Sequence, residues 1–187
     1  MKTLFCEKEI LYDGSQIHSL WAYREFGLLG DGIVAFAGGC DVSPEYMVDL
    51  EDLRAGDAIF SRKMLHFIVE HFDSSLELAI LRQRLLAAIL LERIRHKDTA
   101  ACAGIIRKGD DLYDGDAKLS VSIATINPVS TKIHFGINID AEGAPVKAGG
   151  LNDYGIDAEP FAEAVMLDYK EEMRSAREVR CRVRGTE

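Results

Sequence analysis

Residues 107–140, RKGDDLYDGDAKLSVSIATINPVSTKIHFGINID, constrain the fold more than any other stretch of this 187-residue chain. Arg107 to Tyr113 runs extended into Asp114-Gly115, a dipeptide suited to the positive φ angles of a tight hairpin. Lys118 to Ile126 alternates polar with small or apolar residues at period two, the pattern of a half-buried strand. Asn127-Pro128 breaks that strand, and Lys132 to Ile139 forms a third run. Three strands laid against each other gather two carboxylates (Asp110, Asp111), one lysine (Lys118) and two serines (Ser120, Ser122). Strand side chains repeat every second residue, so Lys118, Ser120 and Ser122 are expected on one face. A cation flanked by hydroxyls can hold an anion such as a phosphate or an acyl phosphate.

The setting follows from a few bulk properties. A chain of this length buries about 70% of its unfolded surface as one domain, expected here over 1–187. With 31 acidic against 22 basic residues and a formal charge of −9, it lacks the positive field that nucleic-acid binding uses. No basic leader with an apolar core opens it, and no run of eighteen apolar residues occurs; a cytoplasmic protein without membrane contact is expected. Cys6, Cys40, Cys102 and Cys181 are widely spaced and form no CxxC pair, which reads as reduced thiols rather than a disulfide frame or a zinc site.

Along the chain, Thr3 to Ile10 reads as a strand running into Asp13-Gly14. The segment LYDGSQIHS at 11–19 echoes LYDGDAKLS at 112–120, and two hairpins of one construction is a simpler account than a duplication. Trp21 to Leu29 is a short helical or loop segment. Ile33 to Phe36 is a buried strand ending in Ala37-Gly38-Gly39-Cys40, where glycines either let backbone N–H groups approach an anion or make a plain turn. Ser43-Pro44 predicts a helix start, with Met47, Leu50 and Leu53 inward and a stop at Ala55-Gly56.

Ile59 to Phe72 reads as a strand with His66, Ile68 and Glu70 on one face and Phe67, Val69 and His71 on the other. The His-x-x-x-Glu-His spacing matches neither usual zincin order, and no metal is expected. Ser74 with Glu77 suggests a capping box for a helix over 75–96, with Leu78, Leu81, Leu85 and Ile89 inward, widened by Leu86 and Leu90. Arg82, Arg84, Arg93 and Arg95 read as solvated flanks. Ala100 to Ile106 returns as a strand. Residues 142–155 form a glycine-rich loop that suits a cover over a site or a connector. Ala158 to Arg177 is a last helix with Phe161, Val165, Tyr169 and Met173 inward. After it, Arg180, Arg182 and Arg184 alternate with apolar residues as on an edge strand.

The opening stretch resembles biotin and lipoate protein ligases. Their Asn-Asp-Leu-Tyr-like turn corresponds to Asp110 to Tyr113, their Gly-x-x-Lys hairpin to Gly115 to Lys118, and their Gly-Ile-Asn-Val strand to Gly136 to Ile139. The run from Lys118 to Ser122 is similar to the lipoate ligase form, Lys-Val-Ser-Gly-Ser. Ser43-Pro44-Glu45 to Asp49 resembles a lipoate ligase segment upstream of Arg62-Lys63, and Gly150 to Gly155 with its helix resembles the closing elements of biotin ligases. The whole chain also resembles a small family of archaeal and bacterial proteins of uncharacterised activity.

The resemblance implies an α+β fold, a mixed or largely antiparallel central sheet with flanking helices in the class II synthetase-like architecture. It implies chemistry on a small carboxylic acid or its acyl adenylate, with ATP as cofactor, an acceptor protein and a homodimer as further expectations. Lys118 and Asp111 would be catalytic; Ser120, Ser122, Gly136, Asn138, Arg62 and His66 would bind substrate. A buried ammonium facing a mixed anhydride offsets transition-state charge. Three departures set a second reading beside this one. The best match to the glycine-rich adenylate loop is Ser61 to His66, which has no glycine; Asp110 stands in place of asparagine; and no cysteine lies between 140 and 176. A non-catalytic binding module that lost its nucleotide loop is the alternative.

Overall fold

The computed structural model describes residues 1–55, 59–97, 100–144 and 146–186. Its elements run β1 (Lys2–Cys6), α1 (Trp21–Phe26), β2 (Gly32–Val42), α2 (Leu50–Ala55), β3 (Ile59–His71), α3 (Leu76–Arg95), β4 (Ile105–Lys108), β5 (Asp111–Asp114), β6 (Ala117–Lys118), β7 (Ser120–Ile126), β8 (Thr131–Asp140) and α4 (Ala158–Arg180). Five strands form one mixed sheet in the order β1-β2-β3-β8-β7, and β4-β5-β6 form a separate small sheet. The fold is the expected α+β arrangement. No helix among the described residues is long and apolar enough to cross a membrane.

Strand alternation splits the sheet into two faces. Leu65, Phe67 and Val69 of β3 and Phe135 and Ile137 of β8 point one way, where they are fully buried against Leu86 and Leu90 of α3 and Val165 and Tyr169 of α4. Each such side chain contributes about 1.5–3 kcal/mol by leaving water. The opposite face carries Val34 and Phe36 of β2 with Met64 and Ile68 of β3, under Tyr12, Ile17 and Trp21. Helices cover the first face, and residues 10–28 cover much of the second.

Several sequence expectations are corrected. The run 107–140 does not make one three-stranded sheet. Gly109, at φ 65°, reverses the chain between β4 and β5, and Leu119, wholly buried, separates β6 from β7. Only the β5–β6 turn at Asp114-Gly115 and the β7–β8 hairpin stand as read. The first Asp-Gly makes no hairpin, because β1 pairs in parallel with β2, and Gly14 turns the chain into a 3-10 helix over Ser15–Ile17. Gly38-Gly39 is neither a turn nor an anion nest but lies within β2. There the backbone of residues 10–12 runs alongside, with Ile10 N donating to Ala37 O at 3.0 Å and Tyr12 N to Gly39 O at 2.9 Å. A Cβ on Gly38 would stand 1.9 Å from Ile10 O, so only glycine fits that crossing.

The helix expected from Ser43 divides into a 3-10 turn, Pro44–Tyr46, and α2. Met47 is extended between them, and the Asp49 carboxylate accepts from Glu51 N at 2.8 Å as α2 begins. Leu50 and Leu53 are exposed rather than inward; Gly56, the expected stop, lies outside the described residues. Ser75, not Ser74, caps α3, accepting from Leu78 N at 3.2 Å. Its buried face runs through Ala79, Gln83, Leu86, Ala87 and Leu90, which turns Leu78 and Leu81 outward. Arg82, Arg93 and Arg95 are tied to Asp73, Asp168 and the Ile105 carbonyl respectively. Residues 102–104 form a 3-10 turn before β4, and α4 continues to Arg180 where an edge strand was expected.

Candidate functional site

A cavity of about 580 Å³ opens on the sheet face away from α3 and α4. Met64, Val121, Ile123 and His134 supply side chains from β3, β7 and β8. Tyr12, Ile17, Val42 and the segment Tyr46 to Asp49 lie across from them. One end is polar, built from Asp110, Asp111, Lys118, Ser120 and Ser122 at the outer edge of β7, with Ser61 and Asn138 beside them.

The polar end is closely bonded. Lys118 Nζ lies 2.8 Å from Asp111 Oδ2. Ser120 Oγ donates to Asp111 Oδ1 at 2.9 Å and accepts from Leu112 N at 2.9 Å. Ser122 Oγ donates to Asp110 Oδ2 at 3.1 Å, and Gln83 Nε2 of α3 lies 2.7 Å from both Asp110 Oδ2 and Ser122 Oγ. Burial pushes the Asp111 carboxyl above its usual range, while the Lys118 ammonium and the Ser120 hydroxyl pull the other way. Asn138 accepts from Ser61 Oγ at 3.2 Å and donates to the Gly149 carbonyl at 3.2 Å, joining the floor to the loop after β8. That loop is tied to β6 by Lys118 N donating to Lys147 O at 2.9 Å.

Of the residues expected at a site, Lys118, Asp111, Ser120, Ser122 and Asn138 meet at this cavity. The two hydroxyls do not flank Lys118 as free anion donors. Ser120 and Ser122 pair with Ile137 and Phe135, so they lie on the helix side of the sheet and are committed to the two aspartates. Arg62 is exposed near Gly143. The segment Ser61 to His66 lies within β3, paired with β2 on one side and over most of its length with β8 on the other.

His66 and Gly136 sit behind the cavity wall. His66 is fully buried and its Nδ1 lies 3.0 Å from Nε2 of His134. Burial drives His66 down to about 4 and His134 well below the usual histidine range, so both rings are neutral at pH 7. Gly136 pairs with His66; a Cβ there would stand 3.3 Å from both bonded ring nitrogens and 3.0 Å from Met64 Cε. Glycine leaves the space that the two rings occupy. Farther along the same face, Glu70 holds Lys132 Nζ at 2.9 Å, Ser130 Oγ at 2.6 Å and Leu20 N at 3.1 Å. His71 projects to the other face, 3.0 Å from Tyr169 OH. His66, Glu70 and His71 therefore never converge, and no three metal-ligating side chains group among the described residues.

Sequence reasoning passed over His134 and Tyr12. Their rings stack at 3.6 Å between centroids and 13° between planes. The one local signal was His134 standing two residues before Gly136, hence on the same strand face.

The chain is 39% identical over 180 residues to an uncharacterised protein of Methanocaldococcus jannaschii, covering 92% of this chain and 80% of that one. It is also similar to the solved structure of a protein of unknown function from Pyrococcus horikoshi, with TM-score 0.93, 42% identity and coverage of 100% and 99%. At the level of fold it resembles biotin protein ligase from Aquifex aeolicus in complex with biotin (TM-score 0.61, 14% identity, 95% of this chain and 72% of that one). A T. acidophilum protein with bound lipoic acid shares the fold similarly (TM-score 0.59, 13% identity, 92% and 86%). The family described as a domain of unknown function, DUF366, matches residues 1–184, and the chain belongs to that family.

Proposed function

We propose that this member of the DUF366 family binds a small carboxylic acid, or its activated acyl form, with the acid group at Lys118 and the body over the apolar sheet face. The observation that carries this reading is the Lys118–Asp111 pair at the polar end of an otherwise largely apolar cavity. Two neighbours of the same fold hold biotin and lipoic acid, both carboxylic acids. Asp111 is the counter-ion with which the arriving acid would compete for Lys118: burial already disfavours its charged form, and a second carboxylate adds like-charge repulsion.

Binding without turnover is the second reading, favoured by one observation. The segment that would have to wrap an adenylate, Ser61 to His66, is held in β3 by strand pairing. Asp110 is a second carboxylate at the polar end of the cavity, unfavourable to a phosphate there. Activation by ATP and transfer to an acceptor protein belong to the first reading, as does a homodimer.

Calorimetry with straight-chain acids of six to ten carbons and their primary amides tests the common core. Acids should bind, amides at least tenfold more weakly, and Lys118→Ala should cost about ten- to a hundredfold for the acids, the range of a charge-assisted bond. Equal binding of acids and amides would remove Lys118 from recognition. Acid-dependent pyrophosphate exchange by the same protein would sink the binding-only reading, and its absence across the bound acids would sink the ligase reading.

A further inference from the structure

We infer that His134, held in place by His66 and Tyr12, is a specificity-determining contact: the ligand carries a hydrogen-bonding group, such as a hydroxyl, that meets His134 Nδ1 some distance from its acid group. This rests on the reading of the cavity as a carboxylic-acid site and narrows the acid to one with a second, polar end.

The geometry fixes which ring atom faces the ligand. His134 Nε2 is committed to His66 Nδ1 at 3.0 Å, while among the described residues no hydrogen bond engages His134 Nδ1. His134 lines the cavity and is only 3% exposed, so bulk water does little for that nitrogen. Tyr12 covers the ring face, leaving the ring edge for contact. His66 Nε2 completes no hydrogen bond, so the far side of the pair does not set which ring donates; in either tautomer His134 Nδ1 is a polar atom without a protein partner at the cavity. Gly136 is the residue that permits this arrangement.

A plain alkyl terminus placed there would bury that nitrogen unpaired, which costs more than the missing bond alone. A hydroxyl, which both donates and accepts, satisfies it in either tautomer. The spacing sets the size class. Asn138 lies level with Lys118, whose carbonyl its Nδ2 approaches at 3.4 Å. His134 stands four residues away on the same strand, about 13 Å at the rise of a β-strand. The ligand is therefore elongated, with an acid at one end and a second polar group toward the other.

Matched probes decide the matter: hexanoate, octanoate and decanoate against 6-hydroxyhexanoate, 8-hydroxyoctanoate and 10-hydroxydecanoate, titrated calorimetrically into the full chain. At one or more lengths the ω-hydroxy acid should bind about tenfold tighter than its parent, and His134→Phe should abolish that preference. Nitrogen NMR of the wild-type protein gives an independent measure that does not depend on the variant folding. The His134 Nδ1 resonance should move on adding the preferred hydroxy acid but not its parent. Parent acids binding as tightly as hydroxy acids at every length, or an Nδ1 resonance that the hydroxy acid leaves unmoved, would overturn the inference while leaving the carboxylic-acid reading intact. No binding by any of the six would overturn both.

Discussion

Three histidines, His66, His71 and His134, are each all but sealed from solvent and held below the usual histidine range, burial being the largest cause for each. In the unfolded chain they titrate near 6.5. Between that pH and about 4, the unfolded state takes up protons that the folded state refuses, so stability is complete above 6.5 and falls as the medium is acidified. Asp111, whose carboxyl is raised by burial, works in the opposite sense, but as one group against three. The urea midpoint should therefore drop steadily from pH 7 to pH 4.5. A flat midpoint across that range would mean that the imidazoles are not sealed as the structure has them. The residue scale also sets the limit of what sequence could show. Lys118, Asp111, Ser120 and Ser122 were legible as neighbours because they lie close together in the chain, although the strand period wrongly set Lys118 on one face with two serines of another sheet. The stacking of Tyr12 on His134 joins residues far apart in the chain, and nothing in either segment announces it.

At the scale of elements, local chemistry was a good guide to where strands and helices lie and a poor one to which way they face. The β7–β8 hairpin followed from alternation and from Asn127, whose side chain accepts from Val129 N and Ser130 N as the turn closes. Leucine content misled for α3. Ala79 and Ala87 let the helix lie close to the sheet, so the small residues mark the buried face and Leu81 is left outside. Asp13-Gly14 correctly signalled a change of direction, yet a turn dipeptide does not name the partner of the strand it ends. The cap of α3 is the local feature with the clearest energetic consequence. Ser75→Ala should cost about 1 kcal/mol in chemical denaturation, and Ser74→Ala nearly nothing. The reverse order would return the cap to Ser74.

Taken whole, the molecule puts its helices on one sheet face and its cavity on the other, with β3 and β8 as the shared wall. That wall is stitched late in sequence terms. His71 pairs with Thr131 and Met64 with Asn138, so everything from α3 through the β4–β6 sheet must be looped out before the two strands meet. Closing so long a loop is costly, and contacts of this kind slow folding. Helix α3, by contrast, needs only its own neighbours to begin forming. The floor of the cavity exists only once β8 has docked, because Asn138 and His134 arrive on it. In a refolding experiment, the far-ultraviolet signal of helix should therefore recover ahead of the capacity to bind an acid probe. Simultaneous recovery of the two would show that β3 and β8 find each other at the outset. The long-range pairing of β3 with β8 is thus expected to act as a kinetic gate, with competence at the cavity the last property this chain acquires as it folds.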